Sequence, residues 1–266
     1  YRSSGLNHAT IEDLIHQEAP KHSSQKTLLK AVKRKLHNIV APYLGELDYS
    51  ALQAQLSKIT ATNPNDDEIK ALCRQVLAGH ASTAERLPFM AEFYQQLFQA
   101  TGIPNTVLDL ACGLHPLALP WMNLPVSTQF HAYDILQPRI DLINQFFQKL
   151  GMPVLAENRD ILVEPPSLQA NLGLFFKEAH RFDKRQPGCN QAFWAQLKVD
   201  ILAVSLPAQN LSGTHSLLDQ HRRLVLENLP AHKRVSELII ENEIIFLIEK
   251  TRRQLNADPH EWSTCL

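Results

Sequence analysis

Through the first third of the chain, apolar residues recur at helical spacing. Leu28, Leu29, Val32, Leu36, Ile39 and Val40 stand three and four apart, which predicts an amphipathic helix capped by Ser23 or Ser24. Two more helices are expected at 49–59 and 66–77, separated by the breaker-rich run "TNPNDDE". Ser82-Thr83-Ala84-Glu85 has the form of a capping box, opening a helix through "ERLPFMAEFYQQLFQATG" that ends at Gly102, with Pro88 tolerated near its start.

After Gly102 the pattern shortens to strand length. "TVLDLA" (106–111), "TQFHAYD" (128–134), "VLAENRD" (154–160), "LGLFFK" (172–177) and "VDILAVSLP" (199–207) read as strands with helical material between them. Residues 236–250, split near Glu241-Asn242-Glu243, read as two strands closing a hairpin, and the polar tail 251–266 as loosely attached. Alternating strand and helix at this spacing predicts an α/β fold, a doubly wound, mostly parallel sheet. Residues 1–80 are expected to form a small all-helical domain and 81–266 the sheet domain. No repeat or low-complexity tract interrupts them.

Composition narrows the picture. With 266 residues, 44% apolar and 20% charged, the chain is an ordinary globular one. No apolar run approaches the ~18–20 residues of a membrane span, and the first residues lack a signal-peptide pattern, so a cytoplasmic protein is expected. The first residue, Tyr1, suggests that residues precede this sequence. Cys73, Cys112, Cys189 and Cys265 are scattered without a C-x-x-C pair, and the twelve histidines form no H-E-x-x-H, so neither a disulfide frame nor a metal site is expected. The formal net charge of −1 conceals a local field: between 21 and 40 stand Lys21, Lys26, Lys30, Lys33, Arg34 and Lys35, with no acid.

Candidate chemistry gathers where the strands end. In a doubly wound sheet, ligands sit beyond the carboxyl ends of the strands, at the switch in strand order. "DLACG" (109–113) falls at such an end, and Gly113 lets backbone approach a ligand. Asp134, 21 residues later, ends the next strand and suits the hydroxyls of a ribose; Asp160 ends the third and suits an adenine amino group. The dinucleotide fingerprint G-x-G-x-x-G is absent, so a nucleoside without a pyrophosphate fits better, S-adenosylmethionine foremost. Its carboxylate would need a cation, for which Arg86 is the candidate. The residues alone leave open that Asp134 caps a helix, that Asp160 ends a surface strand and that Arg86 is solvated.

Taken together, "HASTAERLPFMAEFYQQLF", "VLDLACGLHPLALPWM", "AYDI", "NRDIL" and "FFKEAHRFDKRQPG" resemble the aminoglycoside-resistance 16S rRNA methyltransferases, in particular the branch that modifies N7 of guanosine 1405 in the decoding site. The resemblance runs from about Lys21 to Lys250. It implies a Rossmann-like S-adenosylmethionine-dependent fold and, as partner, 16S rRNA within the small (30S) subunit. It implies that Arg86 holds the methionine carboxylate, that Ala111 and Gly113 form the turn beneath the cofactor, and that Asp134 and Asp160 take ribose and adenine. Lys177 matches a lysine needed for activity close to the transferred methyl, and Lys30, Lys33, Arg34 and Lys35 belong to the RNA-facing basic helix. Nothing in the sequence demands more than a monomer.

The chain departs from that pattern in three places. His115 replaces the usual asparagine of "CGLNPLA", and Ala111 the first glycine of "GCG". In residues 204–225, Gln209 and His215 stand where arginines facing RNA are expected. The last departure keeps two alternatives in view: a methyltransferase acting on another decoding-site base or a small molecule, and a ribosome-binding homologue with weak catalysis.

Overall fold

The computed structural model describes residues 5–40, 47–79, 81–210 and 213–250, with only the backbone of 81 and 82. The tail 251–266, with Cys265, and the Ser82 side chain therefore lie outside the described residues. Seven strands form one sheet in the order β3-β2-β1-β4-β5-β7-β6. They are β1 (Thr106–Leu110), β2 (Gln129–Asp134), β3 (Ala156–Asn158), β4 (Ala170–Phe176), β5 (Val199–Pro207), β6 (Lys233–Ile240) and β7 (Glu243–Lys250). The first five are parallel. β7 inserts antiparallel between β5 and β6, joined to β6 by a two-residue turn with Glu241 at φ 52°. The strand order reverses between β1 and β4, which puts the switch point beside the "DLACG" turn.

Both faces of the parallel part of the sheet are buried, as parallel strands require, while the edge strand β6 is largely exposed. Val107, Phe130, Leu172 and Leu174 pack on one face against α6 (Met90–Thr101) and α8 (Gln137–Lys149). Leu108, Leu110, Phe175 and Val204 face the other side, against α9 (Ala179–Arg185), α10 (Cys189–Gln196) and α11 (Leu218–Glu227). Phe93, Tyr94 and Leu97 of α6 are fully buried. Burying a side chain of that size contributes about 1.5–3 kcal/mol, so α6 is held by packing more than by its own propensity.

The helical N-terminal region consists of α1 (His8–Glu18), α2 (Gln25–Val40), α3 (Tyr49–Lys58) and α4 (Asp67–Ala78). Ser24 caps α2, its Oγ accepting from the Thr27 amide at 3.3 Å. Leu14, Val32 and Leu36 form a small apolar cluster with Leu136, whereas Leu56, Ile69 and Val76 of α3 and α4 join the core of the sheet.

Three expectations need correcting. The helix expected from Glu85 onward starts only at α6, after a 3-10 turn at Leu87–Phe89, while a short α5 (Ala81–Ala84) precedes Glu85. Pro88 lacks the amide that would continue a helix, and the buried Arg86 bonds Glu243 at the start of β7. The third strand spans three residues instead of seven, because Asn158 and Asp160 turn to bond the N-terminal segment. β4 stops at Phe176, and Lys177 leaves it at φ 59°.

Candidate functional site

A cleft of about 810 Å³ opens beyond the carboxyl ends of β1, β2 and β3. Ala111, Gly113, Asp134 and Asp160 line it, and Arg34 and Lys35 stand on its α2 side. Beneath it lies a crevice of about 20 Å³ that shares Ala111, Gly113 and Glu178 and adds Arg86 and Lys177. The cofactor and catalytic candidates thus meet at one place, reached by two of the four basic candidates; Lys30 and Lys33 lie elsewhere on α2.

The turn after β1 carries strain. Ala111 (φ 55°) and Gly113 (φ 56°) are both left-handed. For alanine that conformation costs about 1–2 kcal/mol, which glycine avoids. Lys177, which lines the crevice with them, is left-handed as well. Strained backbone of this kind persists where surrounding structure over-determines it, and functional sites are where it clusters.

Each strand-end acid is held by protein donors. Asp134 accepts from the Gly113 amide (3.1 Å), the Leu136 amide (2.9 Å) and Arg139 (2.8 Å). It therefore braces the glycine turn, while Arg139, only 2% exposed, compensates its charge. Asp160 receives Thr10 Oγ1 at 2.7 Å, Arg185 at 2.7 Å and the Leu162 amide at 3.1 Å. Arg185 also reaches Asp13 at 2.8 Å, so α1, α9 and the third strand end are tied together. A carboxylate has about four lone-pair sites, which leaves room on each acid for one further donor.

Arg86 is 2% exposed and stacks over Phe93 (4.0 Å) and Phe176 (4.7 Å). Its Nε and Nη2 grip Glu243, fully buried at the start of β7. Burial opposes the charge on Glu243, but Arg86 and then Lys177 outweigh it and hold its carboxyl below the usual range. Lys177 Nζ lies 2.6 Å from Glu85 and 3.7 Å from Glu243. Glu178 meets the opposite balance: burial pushes its carboxyl up to about 8, with Arg181 at 3.7 Å opposing only in part.

On α2, Lys30, Lys33 and Arg34 are exposed. Lys35 is half-buried and pairs with Glu18 at 2.8 Å, as does Lys21. Lys21, then Lys35, hold the Glu18 carboxyl down to about 2. The acid-free stretch is thus partly neutralised by a residue just upstream of it. Sequence reasoning missed Glu243, Glu85, Arg139, Thr10 and Asp13. Only Arg139 had a local signal, at i+5 from Asp134 on the helix that follows.

The family model of the ribosomal RNA methyltransferases (FmrO) matches residues 1–246. A 16S rRNA (guanine(1405)-N(7))-methyltransferase of Micromonospora echinospora is 32% identical over 227 residues, covering 84% of this chain and 82% of its own. Among solved structures, the 16S rRNA methylase RmtB has a TM-score of 0.77 at 28% identity, over 92% of both chains. The 16S rRNA methyltransferase RmtF, solved in complex with S-adenosyl-L-homocysteine, has a TM-score of 0.78 at 25% identity, over 93% of this chain and 92% of its own.

Proposed function

Since the chain belongs to the ribosomal RNA methyltransferase (FmrO) family, we propose that it methylates N7 of guanosine 1405 in 16S rRNA, using S-adenosylmethionine, and so confers aminoglycoside resistance. The observation that carries this reading is the cleft itself: strand-end acids and a left-handed glycine turn on one side, an exposed basic helix on the other. A nucleoside-sized ligand fits its volume, and Asp134 and Asp160 each keep capacity for one more donor.

Asp134 would take ribose hydroxyls, Asp160 the adenine amino group and Arg86 the amino-acid carboxylate, above the turn of Ala111 and Gly113. Glu243 occupies two of the five Arg86 donors, and Arg86 lines the crevice below the cleft. When bound, S-adenosylmethionine supplies a methyl group on a sulfonium. Guanine N7 carries an in-plane lone pair and no proton, so no general base is required of the chain. What the residues contribute is orientation, which can be worth about 7–11 kcal/mol in well-aligned systems. Lys177, in the floor of the crevice, is assigned to the reacting end.

The target base must leave its stack, at a cost of a few kcal/mol, and phosphate contacts from Lys30, Lys33 and Arg34 would offset that cost. Residues 1–80 would supply most of the RNA contacts and 81–266 the chemistry. The partner would be the assembled 30S subunit, met by a monomer in the cytoplasm.

The test is to incubate the protein with labelled S-adenosylmethionine and 30S subunits, then map 7-methylguanosine by chemical cleavage. One cleavage, at guanosine 1405, is expected. Label elsewhere in the rRNA transfers the reading to another base, in keeping with Gln209 and His215. Absence of label overturns it.

A further inference from the structure

Below the turn, Asp109, His115 and Tyr94 form a buried chain of hydrogen bonds that the chemistry above does not use. Asp109 Oδ2 lies 2.7 Å from His115 Nδ1, and His115 Nε2 lies 2.5 Å from the Tyr94 hydroxyl. None of the three is more than 4% exposed. Asp109 and His115 also line the crevice that holds Arg86 and Lys177.

The chemistry of the three groups orders their protons. A carboxylate can only accept, so Asp109 requires the hydrogen of His115 to sit on Nδ1. In the neutral ring Nε2 is then an acceptor, to which Tyr94 donates. Tyr94 lies close enough to Arg86 for the guanidinium charge to act on its phenol. Burial raises the Tyr94 phenol well above its ordinary range, which keeps it a donor at neutral pH. The aromatic rings enclose the same set: His115 meets Phe176 edge-on at 5.0 Å, and Tyr94 meets Phe93 at 5.2 Å, the two rings between which Arg86 is stacked.

We propose that His115 is a positioning residue, relaying the orientation of Asp109 through Tyr94 to Arg86 and so fixing the guanidinium edge offered to the methyl donor's carboxylate. This rests on the assignment of Arg86 made above. It locates the relay where this chain departs from the family pattern: an imidazole presents nitrogens on opposite sides of its ring and bridges Asp109 to Tyr94. The shorter asparagine amide satisfies Asp109 without spanning to the phenol.

Two measurements on the full chain test it. Nitrogen-15 NMR of the histidine rings should show His115 as the Nδ1–H tautomer with a downfield Nδ1 proton. Calorimetry should show Tyr94→Phe weakening S-adenosylmethionine binding about tenfold, the scale of leaving one buried partner, here His115 Nε2, without its hydrogen bond. The KM for the cofactor should rise in step and the KM for 30S subunits stay unchanged. His115→Asn should match that loss, and Tyr94→Phe/His115→Asn should be no worse than either alone, because one relay is broken once. The Nε2–H tautomer, additive losses, or an unchanged Kd in folded Tyr94→Phe protein each overturn the proposal. If His115→Asn does not fold, the tautomer and Tyr94→Phe decide alone. Wild-type protein that binds the cofactor with these signatures and yet leaves 30S subunits unmethylated would sink the proposed function while the relay stands.

Discussion

The floor and the mouth of the cleft are both rich in charge, yet they handle it in opposite ways. In the floor, Arg86, Lys177, Glu243 and Glu85 neutralise one another across segments far apart in sequence, and almost no volume is left open. At the mouth, Arg34 faces outward, with Lys30 and Lys33 exposed elsewhere on the same helix, and the space is wide enough for a nucleoside. Buried pairs are costly to break because the remaining charge has no water to turn to, whereas exposed cations contribute little to folding and much to meeting a polyanion. Charge in the floor therefore builds the site, and charge on α2 is what the proposed function assigns to meeting the RNA.

The comparison is strained hardest by Glu243→Ala, which leaves Arg86 buried without its main counter-charge. A loss of about 3–5 kcal/mol in urea unfolding is expected, together with loss of methylation. A variant of near wild-type stability would mean that the pair does not organise the floor.

Arg185→Ala probes the wall between the two regions, where Arg185 joins Asp160 to Asp13. Stability should fall by about 3 kcal/mol, measured in the same way. Cofactor affinity should fall with it, because Asp160 loses the cation that orients it.

Glu178 sharpens the contrast through pH. The folded protein keeps its proton up to about 8, while a free glutamate releases it near 4.5. The unfolded state thus binds fewer protons between those values, and this group's contribution to stability is lost as pH rises through that window. Thermal melts of Glu178→Gln should show a smaller decline from about pH 5 to pH 8.5 than the parent. An identical decline would place the pH dependence elsewhere.

The smallest effect belongs to the mouth. Arg34→Ala should weaken 30S binding severalfold and lower the salt-dependence slope by about one, with cofactor Kd and melting unchanged. Lys35→Ala should do less, because Glu18 already holds that ammonium. Equal effects would show that the Glu18 pair opens on the ribosome.

How much of this was legible in the sequence follows from how far each signal reaches. The strands declared themselves by short apolar runs, and the turn at Gly113 by its place at the end of one. Asp134 and Asp160 were legible because strand ends of a doubly wound sheet converge. What sequence could not carry was pairing at a distance: Thr10 meets Asp160 across 150 residues, and Arg86 meets Glu243 across 157. No periodicity encodes those contacts, since they follow from strand order. The misread helix at Glu85 has the same origin, because a local capping pattern yielded to a partner supplied by β7.

That partner has a consequence in time. β7 is the last described strand to leave the ribosome, yet it inserts inside the sheet, between β5 and β6. Domains fold as units once their sequence has emerged, so a nascent chain halted before Glu243 holds every acid of the cleft and no counter-ion for Arg86. Maturation of the pocket thus waits on the emergence of β7, and until then an enzyme whose proposed substrate is the ribosome stays unarmed toward the particle that is making it.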